Sequence, residues 1–224
     1  MKHIVVLTGA GMSAESGIET FRDADGLWEG HDVMEVASPE GFRKNPELVL
    51  NFYNQRRQQL KDVQPNQAHK DLVLLENDYK VTIVTQNVDD LHERAGSNNI
   101  VHLHGELRKI RSTGNENDVK VWTEDINLGD YCKKGHQLRP HIVWFGEAVP
   151  MIDKAIEICY FADILLIIGT SMQVYPAASL MDCVQTHVPI YYIDPKPAIS
   201  NNTKVTVIAK PATEGMQDFI ANIK

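Results

Sequence analysis

The sequence predicts an α/β protein, a doubly wound parallel sheet with a smaller inserted lobe, and three observations predict it. Short β-branched or apolar runs recur along the chain: HIVVLT (3–8), VTIVT (81–85), IVHLH (100–104), DILLIIG (163–169), PIYYID (189–194) and KVTVIA (204–209). Helical patterns separate them near 68–78, 151–162, 176–187 and 212–223. The first run passes straight into a glycine-rich turn, Gly9-Ala10-Gly11. Runs that are apolar on both faces suit central strands of a parallel sheet covered by helices on each side. Their alternation with helices calls for right-handed βαβ crossovers, which makes the sheet Rossmann-like.

Two stretches interrupt the alternation. Residues 30–62 read as helical, with Asn45 as an N-cap and Pro46 at the first helical position. Residues 106–140 are polar and turn-rich, and TGNEND (113–118) reads as their clearest loop. Neither offers a core strand to the main sheet. The expected division is therefore a dinucleotide-binding domain from 1–29, 63–105 and 141–224, and a small lobe from 30–62 and 106–140. A cleft between them is a favoured place for a ligand.

The bulk properties exclude several classes. At 224 residues the chain holds one to two domains, taking ~150 residues per domain. A formal charge of −8 opposes attraction to nucleic acid phosphates, which needs basic patches, so no nucleic acid partner is expected. No apolar run approaches the ~20 residues of a spanning helix, and the N-terminal one is too short for a signal peptide. A cytoplasmic protein with no membrane partner is expected. Cys132, Cys159 and Cys183 are an odd number without paired spacing, which speaks against a disulfide scaffold.

The chemistry sits at the strand ends. A glycine-rich turn after the first strand lets backbone N–H groups approach a pyrophosphate. The spacing is Gly9-x-Gly11-x-x-Ala14, with no clearly placed acidic residue about twenty positions on, so an ordinary hydride-transferring dehydrogenase is disfavoured. Gln86, Asn87 and Asp89 end the strand 81–85, where amides and carboxylates can hold hydroxyls and a carboxamide. His102 and His104 close the strand 100–104 and are expected to face opposite ways, so that only one looks into the cleft. A neutral imidazole there suits proton abstraction from a hydroxyl at cellular pH.

The run GAGMSAESGIETFRDADGLW (9–28) closely resembles the signature of the sirtuin family. TQNVDDLHERAGS (85–97), HLHGEL (102–107), RPHIVWFGE (139–147) and GTSMQVYPA (169–177) agree in order and spacing, so the resemblance covers essentially the whole chain. It implies an NAD-dependent protein-lysine deacylase that passes the acyl group to ADP-ribose and releases nicotinamide. By the family motif, His104 is the general base and Asn87 its catalytic companion, with His102 structural. The resemblance places NAD against Gly9, Ala10, Gly11, Ser13, Ala14, Glu15, Phe21, Arg22, Gln86, Asn87, Asp89, Gly169, Thr170, Ser171, Ile193, Asp194 and Ala212. It gives acylated lysine side chains as the partner, with Val143, Phe145 and Gly146 beside them. HIVWFGE (141–147) would offer the peptide an extended edge for strand addition. Two other readings are a mono-ADP-ribosyltransferase and a non-catalytic NAD or ADP-ribose sensor.

Tyr53 and Arg56 lie three residues apart on a predicted helix, which puts both on one face. A phenol with a guanidinium makes a charge-assisted carboxylate site. The pair matches class III sirtuins, which prefer succinyl, malonyl or glutaryl lysine, and Ala24 leaves room for the longer chain. The chain departs from most sirtuins at the structural zinc. Residues 110–114 hold no cysteine, and only Cys132 and His136 remain as donors. Two donors do not close a tetrahedral site, so zinc is expected to be absent. Packing through Val119, Val121, Trp122, Ile126 and Leu138 is expected to hold the lobe instead. Tyr192 stands where many relatives place asparagine.

Overall fold

The computed structural model describes residues 1–20, 27–28 and 30–224, with Leu27 by its backbone alone. Phe21, Arg22 and Ala24, expected at the site, lie outside the described residues. In chain order the elements begin with β1 (His3–Thr8), the short helix α1 (Gly11–Ala14), and two-residue strands β2 (Leu27–Trp28) and β3 (His31–Asp32). Three helices follow, α2 (Val33–Val36), α3 (Pro39–Lys44) and α4 (Pro46–Gln59), then α5 (Gln67–Leu75), β4 (Lys80–Thr85), α6 (Leu91–Ala95) and β5 (Ile100–His102). Next come β6 (Gly105–Ser112), β7 (Asn115–Val121), β8 (Leu138–Ile142) and α7 (Ile152–Tyr160). The chain ends with β9 (Ile164–Ile168), a 3-10 helix (Ala177–Cys183), β10 (Ile190–Ile193), β11 (Val205–Ile208) and α8 (Ala212–Ile223).

The six apolar runs form one sheet in the order β11-β10-β9-β1-β4-β5, and every neighbouring pair is parallel. Alternate residues of each strand enter different layers, as the two-residue period requires. Val5, Leu7, Val84, Leu165 and Ile167 pack with Cys159 of α7 and Leu180 of the 3-10 helix. Ile4, Val6, Ile83, Leu166 and Ile168 pack with Leu72 of α5 and Met216 and Phe219 of α8. Both faces are buried, which is why these strands read as continuous apolar runs. The strand order reverses between β1 and β9, and in such sheets ligands bind in the crevice at that switch.

The helical reading of the first insertion holds for α2 to α4. Asn45 caps α4 by accepting from the Leu48 N–H at 3.1 Å, with Pro46 in the first turn. The second insertion differs from expectation. Residues 113–118 are mostly strand: Thr113 and Gly114 turn the chain, and β7 starts at Asn115. β7, β6 and β8 make an antiparallel sheet in that order. Its outer strand is largely exposed, and its valines, Val119 and Val121, come only after four polar residues, so no apolar run announced it. Ile110, Ile126, Leu138, Cys132 and Leu50 form the local core, with Phe42 and Trp122 against it. Ile126, Leu138 and Trp122 were expected there; Val121 was too, but it is 72% exposed at the end of the outer strand. Residues 176–187 form a shorter 3-10 helix rather than a full α-helix.

Candidate functional site

The turn after β1 is built by close approach of two backbones. Gly11 N–H donates to Gly169 O at 2.8 Å and Gly9 N–H to Ile168 O at 3.2 Å. A Cβ on Gly9 would lie 2.7 Å from Thr170 Cβ, and one on Gly11 would lie 2.7 Å from Gly169 Cα. Gly169 sits at φ +66°, and a side chain there would run into the amide of Met12. The glycines therefore let the loops after β1 and β9 touch at the switch point. The amides of Gly9, Gly11, Met12 and Ser13 all donate to main-chain carbonyls, so the expected row of free N–H groups is largely used within the fold. Ala14 and Glu15 are exposed. Glu15 reaches across the sheet end to α8, accepting from Thr213 N–H at 2.9 Å and from its hydroxyl at 2.6 Å, next to buried Ala212.

Beside this turn, the segment after β4 forms a polar network. Ser13 Oγ donates to Asp89 Oδ2 at 2.9 Å and accepts from Asn87 Nδ2 at 3.1 Å. Burial raises the Asp89 carboxyl pKa, opposed by the donors Leu91 N–H and Ser13. Gln86 Nε2 donates to Thr170 Oγ1 at 3.1 Å. Thr170 is buried and Ser171 half-buried, while Tyr192 donates from its hydroxyl to Thr170 O at 2.9 Å. The phenol at position 192 thus braces the loop after β9. Ile193 and Asp194, both buried, complete the rim, and Asp194 Oδ1 accepts from Lys196 N–H at 2.8 Å.

The two histidines do not face opposite ways. β5 ends at His102, and residues two apart share a face. Their rings bond to successive carbonyls of one segment, His102 Nδ1 to Asn87 O at 3.2 Å and His104 Nδ1 to Gln86 O at 3.1 Å. The other nitrogen separates them. His102 Nε2 meets Glu93 Oε1 at 2.7 Å, whereas His104 Nε2 has no partner among the described residues. A carbonyl can only accept, so Nδ1 of His104 carries the proton and Nε2 a lone pair. Burial holds the His104 pKa below its ordinary value, only partly offset by the Gln86 carbonyl, so the ring is neutral near pH 7.

Tyr53 is fully buried, and its hydroxyl accepts from Trp144 Nε1 at 2.9 Å, leaving the phenolic proton without an acceptor among the described residues. Burial raises its pKa far above the ordinary value, so it stays a neutral donor. Arg56, one turn on, is half-buried with its guanidinium carbon 5.1 Å from the Phe52 ring centre. The segment 141–147 is less extended than expected. β8 stops at Ile142, Val143 N–H donates to His104 O at 2.9 Å, and a turn closes with Glu147 N–H on Trp144 O at 3.0 Å. Gly146 takes φ +89°, Phe145 is exposed and Val143 half-buried. Beneath the turn, Glu147 joins Arg139 at 2.7 Å and Arg111 at 2.9 Å, and Arg139 stacks on Trp144 with its guanidinium carbon 3.2 Å from the ring centre. Arg139 and Glu147 of this ion triad lie within the run 139–147, whereas Arg111 comes from β6 and nothing in the sequence joins it to them.

Cys132 and His136 sit in the loop between β7 and β8. Cys132 is buried, its sulfur accepting from Ser112 Oγ at 3.3 Å, while the His136 ring covers the α-carbon of Gly114. No third ligand joins them among the described residues.

A model described as the Sir2 family matches residues 9–176. The chain is 59% identical over 224 residues to an NAD-dependent protein deacylase of Helicobacter pylori, covering 100% of this chain and 98% of that one. It is 52% identical over 226 residues to an NAD-dependent protein deacylase of Bacteroides thetaiotaomicron, covering 98% and 97%. Among solved structures it is similar to a complex of a Sir2 homologue with NAD, at 40% identity and a TM-score of 0.89, covering 99% of this chain and 89% of that one. It is also similar to a Sir2 homologue bound to ADP-ribose, at 40% identity and a TM-score of 0.90, covering 99% and 92%.

Proposed function

We propose that this chain, which belongs to the Sir2 family, is an NAD-dependent protein deacylase that transfers acyl groups from lysine side chains to ADP-ribose and releases nicotinamide. The observation that carries the reading is His104. Its Nε2 has no partner among the described residues, its Nδ1–H is held by Gln86 O, and it stands just past β5 at the carboxyl end of the sheet, next to the segment Gln86–Asn87 that ends β4. When bound, NAD supplies an activated ribose carbon with nicotinamide as leaving group. The chain's own residues hold and deprotonate. Gly9, Ala10, Gly11, Ser13, Ala14 and Glu15, with Gly169, Thr170, Ser171, Ile193, Asp194 and Ala212, would hold the dinucleotide. A Cβ at position 9 or 11 would collide with the loop after β9, so these glycines hold the two loops together at the strand switch where a dinucleotide would lie. Gln86, Asn87 and Asp89 orient the nicotinamide ribose, and His104 Nε2 takes a hydroxyl proton. Phe21 and Arg22 carry the family's expectation of a closing segment, outside the described residues. Val143, Phe145 and Gly146 flank the acylated lysine.

The acyl group we assign to this pocket ends in a carboxylate, as in succinyl or malonyl lysine, with acetyl lysine accepted less well. The phenolic proton of Tyr53 and the guanidinium of Arg56 support it, with Ala24 expected to leave space. Structural zinc does not fit: among the described residues no third donor joins Cys132 and His136. The test is a panel of acetyl, succinyl, malonyl and glutaryl peptides incubated with NAD. Peptide-dependent nicotinamide release with acylated ADP-ribose as product is expected. In Arg56→Met, removal of succinyl falls at least ~10-fold more than removal of acetyl, because a charge-assisted bond is lost for one substrate alone. Equal losses would reject the acyl assignment, and label from NAD retained on protein without deacylated peptide would reject the deacylase reading.

A further inference from the structure

Behind the reaction site, three elements bring together a donor set that the proposed reaction does not use. Glu93 projects from α6, His102 ends β5 and Glu106 stands near the start of β6, and one ligand atom from each lies within 4.8 Å of the others. The imidazole is fixed from behind, with Nδ1 donating to Asn87 O at 3.2 Å, so that Nε2 faces the carboxylates. Metal-binding histidines are commonly held this way, one N–H on a carbonyl and the other nitrogen toward the ion.

We propose that Glu93, His102 and Glu106 form a binding site for a late first-row divalent cation, zinc above all. One imidazole nitrogen and two carboxylate oxygens suit zinc, with water completing four-coordination, whereas calcium or magnesium would want oxygen alone. Charge points the same way. A dication neutralises the two carboxylates, and it displaces two groups: the proton that His102 Nε2 shares with Glu93 at 2.7 Å and the ammonium of Lys109, 2.6 Å from Glu106 and 36% exposed. A partly exposed lysine–carboxylate pair of that kind adds little to stability, so moving the lysine aside costs little. The neighbouring acid Asp90 is engaged by Arg108 at 2.9 Å and Arg94 at 3.7 Å and stays out of the set. Glu93, 41% exposed at its side chain, leaves the site open to solvent for entry. The site is independent of Cys132 and His136, and it does not rest on the deacylase reading.

The test titrates the metal-stripped full chain with zinc against a chromophoric chelator, and with cobalt(II) as a spectroscopic probe. One equivalent of zinc is expected. The cobalt spectrum should lack a thiolate charge-transfer band. Glu106→Gln and Glu93→Gln, isosteric changes at partly exposed positions, should each weaken zinc by ~10-fold or more, while Cys132→Ser leaves affinity unchanged. His102→Gln should abolish stoichiometric binding, with circular dichroism checking that it folds. Absence of stoichiometric zinc binding would overturn the proposal. So would unchanged affinity in both glutamine variants, or loss of binding together with a thiolate band that disappears in Cys132→Ser.

Discussion

His104 shows how little separates a structural histidine from a reactive one. His102 and His104 bond to neighbouring carbonyls through the same ring nitrogen, and only the carboxylate of Glu93 distinguishes them. For His102, burial opposes the charged form, but the hydrogen bond and charge of Glu93 outweigh it and the pKa rises. For His104, burial prevails and the pKa falls below its ordinary 6.5. A general base works in its neutral form, so the acid limb of kcat/KM should lie below pH 6.5 and fall away as pH drops through the lowered pKa. A limb centred above pH 7 would contradict the assignment. His104→Ala should lower turnover by ~10²–10⁴-fold while NAD binding, followed by calorimetry, stays nearly unchanged. The sequence showed two histidines, 102 and 104, just ahead of the GEL run, but which of the pair carries a free lone pair depends on Glu93 in α6. That partner is near in space and gives no sign in the strand.

At the scale of elements, legibility follows burial. β1, β4, β9 and β10 are apolar on both faces, and each was found within a residue or two of its observed ends. β7 escaped because its first four residues, Asn115 to Asp118, are polar, and the alternation Val119-Lys120-Val121 at its end is too short to mark a strand alone. The turn residues Gly9 and Gly11 were legible as a dinucleotide-type loop. What they do was not, for their freedom from a Cβ serves contact with Gly169 160 positions away in the chain. Gly169→Ala should therefore destabilise the protein by ~1–3 kcal/mol from overpacking, with a further cost from its positive φ. Urea unfolding reads this directly, and an unchanged midpoint would show that the two loops do not need their close approach. The bond of Glu15 to Thr213 belongs to the same layer of design, tying the first turn to the start of the last helix.

At the scale of the whole molecule, the parallel sheet carries a second pair of histidines that sets its response to acid. His69 of α5 and His92 of α6 lie with ring centres 4.8 Å apart, and His92 Nε2 contacts Thr8 Oγ1 at 3.2 Å at the end of β1. Burial pushes His69 down to about 4 and His92 well below its ordinary value. Both rings bind protons more readily in the unfolded chain. Their stabilisation is thus complete above pH 6.5 and is lost as pH falls towards 4, amounting to roughly 3 kcal/mol for His69. The urea midpoint should drop between pH 7 and pH 5, and an unchanged midpoint would mean that the pair is solvated in the native state. The central claim concerns the carboxyl end of the sheet, from the strand switch where the loops after β1 and β9 meet to His104 just past β5, joined through Gln86, which contacts both Thr170 and the His104 ring. A crystal structure with NAD and a succinyl-lysine peptide tests it most directly. The account predicts the dinucleotide lying across Gly9–Ala14 and the Gly169 loop, with His104 Nε2 within hydrogen-bonding distance of a ribose hydroxyl. NAD bound elsewhere, or His104 turned away from the ribose, would contradict it.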